Sequence, residues 1–131
     1  MRHPSWEQLE NTADVVAGAI VISTPQDIAL KDAVKGVNMF RKVNVPILGM
    51  VQNMSVFQCP NCGHSTHIFG SEGVARRCSE LKIKLLGDIP LDARICADAD
   101  RGKPTVIAEP GSARAVAFEN IAEEVSVLIG L

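Results

Sequence analysis

The sequence predicts an α/β fold, a partial doubly wound parallel sheet, on three observations. Short continuous apolar runs rich in β-branched residues stand at 18–23 and 45–51, the pattern of strands buried on both faces. A stretch with helical periodicity lies between them, so strand, helix and strand make one right-handed parallel crossover. Aromatic residues are only 4% of the chain, with one Trp and no Tyr, so the core is built from Val, Ile, Leu and Ala. Such a core suits a sheet covered by helices.

Each element has a local reason. The first strand, 18–23, is followed by Thr24, Pro25 and Asp27, which predict a helix start with Thr24 as cap and Asp27 at the capping-box spacing. Leu30, Val34, Val37 and Phe40 recur at helical spacing, Arg41 and Lys42 suit the last turn, and Asn44 with Pro46 ends it. The helix is expected over 25–43 and a second strand over 45–51. Residues 53–70 read as irregular, 71–81 as a helix, 84–89 as a third strand and 92–100 as a short helix ended by Gly102 and Pro104. Ser112 predicts the cap of a long cover helix. Its buried stripe is expected to hold Val116, Phe118, Ile121, Ala122, Val125, Leu128 and Ile129, with Glu119, Glu123 and Glu124 facing water.

Composition narrows the function. With 131 residues, 47% hydrophobic and 21% charged, the chain is one folding unit rather than a disordered one. Thirteen Lys plus Arg against fifteen Asp plus Glu give a net charge of -2, so the basic excess used to bind nucleic acid is missing. The longest apolar runs fall short of the roughly 20 residues that cross a bilayer, and no transmembrane segment is expected. The start, Met1 to Glu7, has neither a signal-peptide core nor the acid-poor, Arg-rich character of a transit peptide, so secretion is not expected. Four Cys are too few for a disulfide scaffold.

One pattern carries chemistry: Cys59-Pro60-Asn61-Cys62-Gly63-His64, with His67 further on. Thiolates two residues apart converge on one metal because the turn between them brings both sulfurs to one side, and Gly63 relaxes the backbone behind them. The pair is half a site. A tetrahedral zinc or a four-iron cluster takes four ligands, and Cys78 and Cys96 fall in helical segments, where they read as small buried hydrophobes. A second chain would complete the set. Competing readings are a zinc knuckle using His64 and His67, a redox pair, and cysteines that merely pack. No G-x-x-x-x-G-K-[ST], G-x-G-x-x-G, nucleophile-elbow or H-E-x-x-H sequence occurs, so the residues for cradling phosphates or hydrolysing a substrate are not here.

From Gly18 to about Pro110 the chain resembles the C-terminal half of the Mrp/NUBPL family of iron-sulfur carriers, P-loop ATPases of the MinD/SIMIBI type. The resemblance rests on Ser23-Thr24-Pro25-Gln26-Asp27, Val45-Pro46-Ile47-Leu48-Gly49, Asn53-Met54-Ser55, the Cys59 to His64 motif with Ile68-Phe69-Gly70, and Leu86-Gly87-Asp88-Ile89-Pro90-Leu91-Asp92 with Gly102-Lys103-Pro104. The run from Val51 to Pro60 is most similar to the mitochondrial branch, whose members assist assembly of respiratory complex I.

The resemblance implies a P-loop NTPase-like fold without its phosphate-loop half, with 1–131 as one C-terminal portion and 54–70 as its metal-binding loop. It implies Cys59 and Cys62 as ligands of a 4Fe-4S cluster bridging a homodimer. Asn53, Pro90 and Asp92 would lie beside a nucleotide base. ATP and magnesium belong to relatives that carry the phosphate loop, and catalysis by this stretch alone is not expected. Complex I apoproteins are the implied recipients and the mitochondrial matrix the implied location. Without neighbouring strands, the strand at 18–23 is expected to keep an unpaired edge and uncovered apolar faces, giving an association-prone protein.

Overall fold

The computed structural model describes residues 16–131. Its centre is a parallel sheet of β1 (Ala19–Ser23), β2 (Ile47–Gln52) and β5 (Leu85–Asp88), in the order β1-β2-β5. Ser23 pairs with Gln52, and Gln52 with Asp88, so the three strands end level. Between β2 and β5 the chain forms a small antiparallel hairpin, β3 (Phe57–Gln58) and β4 (Ser65–Thr66). Among the described residues five helices complete the fold: α1 (Asp27–Lys42), α2 (Gly73–Leu81), α3 (Ala93–Asp100), α4 (Thr105–Ala108) and α5 (Ala113–Ile129).

Helices cover both faces of the sheet, as the apolar strands require. On one face α1 and α2 pack Leu30, Ala33, Val37, Val74 and Cys78 against Val21 and Met50. On the other, Phe118, Ile121 and Val125 of α5 pack against Val51, Leu86 and Ile89. Met50 and Val51 are successive residues on opposite faces, the alternation of a strand. Cys78 is core, and its burial pushes the thiol pKa up, so the expectation of a small buried hydrophobe holds there.

Several expectations need correction. Cys96 is exposed rather than buried: α3 turns Asp98 inward, and the Cys96 thiol on its outer side donates to Asp100 Oδ2 at 3.6 Å. Helix α1 starts at Asp27 with Gln26 as N-cap. The Gln26 carbonyl takes the Leu30 N–H at 3.0 Å, while the Thr24 hydroxyl is spent on the Gln26 side chain rather than on the helix. The stop is as expected, with Asn44 in the left-handed region at φ 57° and Val45 N–H returning to Phe40 O. Residues 53–70 are not wholly irregular, since they hold β3 and β4. Ser112 does cap α5, accepting the Ala115 N–H at 3.2 Å. Its stripe is only partly buried: Val116, Ala122, Leu128 and Ile129 face solvent, because the helix turns Phe118, Ile121 and Val125 alone onto the core of the sheet. Among the described residues β1 pairs with β2 alone, and Ile22 on its outward face is 62% exposed, which agrees with the expected open edge.

The α3 to α5 end is fastened by a buried carboxylate. Asp98, 2% exposed, accepts from Thr105 Oγ1 at 2.8 Å, Arg101 Nη2 at 2.6 Å and Arg114 Nη2 at 3.3 Å. The Thr105 hydroxyl, then the two guanidinium groups, hold its pKa below the ordinary 3.8. A carboxylate lowered by folding contributes stability above its ordinary pKa and loses that contribution as pH falls through the folded value. Urea midpoints will therefore fall with acid below pH 3.8 in the wild type. In Asp98→Asn they will start lower at neutral pH and fall less steeply.

Candidate metal centre

The Cys-x-x-Cys segment is the turn of the β3–β4 hairpin. Phe57 pairs with Thr66 and Gln58 with Ser65, after which Cys59 N–H donates to His64 O at 2.9 Å and closes the loop. Gly63 N–H returns to Cys59 O at 2.9 Å, and Gly63 itself takes φ 72°, a conformation that favours glycine. Two-residue strands whose side chains, Phe57 apart, are polar have little cohesion of their own, so these backbone bonds carry the shape. The turn brings the Cys62 thiol within hydrogen-bonding reach of the Cys59 sulfur.

Cys62 is exposed and Cys59 half-buried. The backbone N–H of Cys62, then that of Asn61 and the Cys62 thiol, hydrogen-bond the Cys59 sulfur and hold its pKa below the ordinary thiol value. The shift favours the thiolate, the form that ligates metals. His64 and His67 are exposed, and among the described residues no three His, Cys, Asp or Glu side chains converge to hold a metal ion. The turn therefore presents two thiols of the kind that ligate a soft metal or cluster.

The hairpin is tied to the rim of the sheet. Ile89 N–H donates to Gln52 O at 2.8 Å, Ser55 N–H to Ile89 O at 3.0 Å, and Leu91 N–H to Val56 O at 2.9 Å. The Ser55 hydroxyl adds a bond to Ile89 O at 3.1 Å. The loops leaving β2 and β5 are thereby zipped together just beyond the strand ends, where open α/β sheets hold ligands.

Asn53, Pro90 and Asp92 all lie along this zipped rim. Asn53 Oδ1 accepts the Met54 N–H at 2.9 Å, which holds Met54 in the left-handed region and leaves the Asn53 Nδ2 without a partner among the described residues. Pro90 lines a cleft on the α2 side. Asp92 caps α3 by accepting Arg94 N–H at 2.9 Å and pairs with the Arg94 guanidinium at 2.8 Å, which holds its pKa down. Sequence reasoning did not single out Gln52 and Asp88, which the sheet register sets side by side on this rim. Their only signal was position, at the last residues of two strands.

Comparison with known proteins places the chain in a family. The family described as NUBPL iron-transfer P-loop NTPase matches residues 6–126. A mouse protein named iron-sulfur cluster transfer protein NUBPL is 49% identical over 95% of this chain and 44% of its own length. An Arabidopsis thaliana protein named iron-sulfur protein required for NADH dehydrogenase, mitochondrial, is 47% identical over 84% of this chain and 35% of its own. The fold is similar to the septum site-determining protein MinD of Pyrococcus horikoshii bound to Mg-ADP, with TM-score 0.68 and 30% identity over 87% of this chain and 43% of that one. The chain thus spans less than half the length of these relatives. The family model matches nearly the whole chain and the parallel sheet agrees with it, so the chain belongs to the NUBPL iron-transfer P-loop NTPase family.

Proposed function

We propose that this chain carries an iron-sulfur cluster as cargo and passes it to apoproteins, subunits of respiratory complex I among them, in the mitochondrial matrix. The hairpin supports this reading most strongly: it offers two neighbouring thiols, one exposed and one held toward the thiolate form. A four-iron cluster takes four thiolates, so Cys59 and Cys62 of two chains share one cluster across a homodimer. Shared ligation also gives a route for release. Thiolates of an acceptor replace those of one chain and then the other as the interface loosens.

The names of the mouse and Arabidopsis relatives support the cargo and the recipient class. Membership of a P-loop NTPase family supports a nucleotide on the rim, with the free amide of Asn53 facing an acceptor on the base and Pro90 and Asp92 shaping the turn beside it. In that arrangement nucleotide state biases how tightly the two chains close on the cluster.

Transfer tests the reading. Chain reconstituted anaerobically with iron and sulfide is mixed with an apo four-iron ferredoxin, and the acceptor's circular dichroism is followed in the presence of an iron chelator. The acceptor fills despite the chelator if the cluster passes directly. Filling no faster than with free iron and sulfide would contradict the carrier reading.

A further inference from the structure

On the α1/α2 face of the sheet, a cleft of about 360 Å³ opens between the ends of β2 and β5, the start of α2 and the chain leaving β4. Gln52 forms its floor. It is 5% exposed and, two residues after Met50 in the strand, lies on the same sheet face, with its side chain lining the cleft. Its backbone carbonyl is satisfied by Ile89 N–H, and the side-chain amide opens into the cleft, free to bond whatever enters it.

Asp88 is the register partner of Gln52 in the β2–β5 ladder, so the two side chains stand next to each other on one face. It is the only carboxylate in the lining, which contains no Lys or Arg. Burial raises the Asp88 pKa and His67, across the cleft, pulls it back, so the carboxylate lacks a strong cationic partner of its own. Val56, Leu85 and Pro90 supply apolar walls. The cleft thus combines two adjacent acceptors, the Gln52 carbonyl oxygen and the Asp88 carboxylate, with surfaces suited to an aliphatic stem.

We propose that this cleft binds an alkylguanidinium group, such as the side chain of an arginine presented by a partner protein. A guanidinium has donors in a planar fork that meets two adjacent acceptors at once, and its weak hydration lowers the cost of entering a half-buried site. An ammonium is a compact, strongly hydrated charge and fits less well. An anion is repelled by Asp88. The site requires no cluster and does not depend on the carrier reading.

The test uses the full chain labelled with ¹⁵N and two probes, agmatine and the blocked tripeptide Ac-Gly-Arg-Gly-NH2. Saturable shifts of the Gln52, Asp88 and His67 amides are expected, weakened at least about tenfold in Asp88→Asn by loss of a charge-assisted bond. Gln52→Leu, which keeps the buried volume, weakens binding as well, while Asp32→Asn on exposed α1 surface leaves it unchanged. Tighter binding of the peptide assigns the group to a protein partner, and tighter binding of agmatine to a free small molecule. Three results would overturn the proposal: no saturable shift with either probe, unchanged binding in both cleft variants, or equal binding of Ac-Gly-Lys-Gly-NH2.

Discussion

Cys59→Ser and Cys62→Ser will each abolish retention of the cluster. A serine hydroxyl keeps the size of the thiol but supplies no thiolate, and a cluster shared by two chains loses two of its four sulfur ligands when one position changes. The loss is thus doubled by symmetry. Bound iron and sulfide after desalting should fall to background in both variants, with the loss of charge-transfer absorbance. Folding should be unaffected, because the hairpin is closed by the backbone of Cys59, Gly63 and His64 rather than by the sulfurs. Cys96→Ser, on the outer side of α3, serves as control and should retain the cluster fully.

Gly49→Ala will have the largest effect on stability among single-methyl changes in the sheet. A Cβ at Gly49 would sit 2.5 Å from the Lys84 carbonyl oxygen and 2.6 Å from Leu86 Cγ. That same carbonyl accepts the Met50 N–H at 2.8 Å, one of the bonds joining β2 to β5. Backbone has no rotamer with which to give way, so relief requires the strands to part. We expect a loss of about 1–3 kcal/mol, the usual cost of overpacking a core, read from urea unfolding. Gly36→Ala is the matching control. It lies in α1, where an added Cβ meets nothing within 4 Å, and alanine's higher helix propensity should leave the protein as stable or slightly more so.

These two predictions stand on parts of the molecule that differ in how far the sequence reveals them. The strands β1 and β2 were legible because continuous apolar runs have few other uses in a polar-capped chain. The cysteine turn was legible because its spacing is itself the geometry. Hairpin β3–β4 was not, since Gln58, Ser65 and Thr66 carry no hydrophobic period and the pairing is held by main-chain bonds. Asp98 reads in sequence as one acid among several on a short helix. Its burial depends on Thr105 and Arg114, which reach it from α4 and α5. Helix caps were legible in part. Ser112 caps α5, whereas Thr24 bonds the nearer Gln26 side chain. The Gln52–Asp88 cleft depends on strand register and on the chain after β4, so three separate segments must be placed before it exists.

The central claim is a cluster held between two chains by Cys59 and Cys62. Anaerobic reconstitution with iron and sulfide, followed by separation by size and analysis of iron, sulfide and zinc in each peak, tests it most directly. The account predicts about four iron and four sulfide per dimer, in the dimer peak and nowhere else. Zinc bound to a monomer with no sulfide would contradict it.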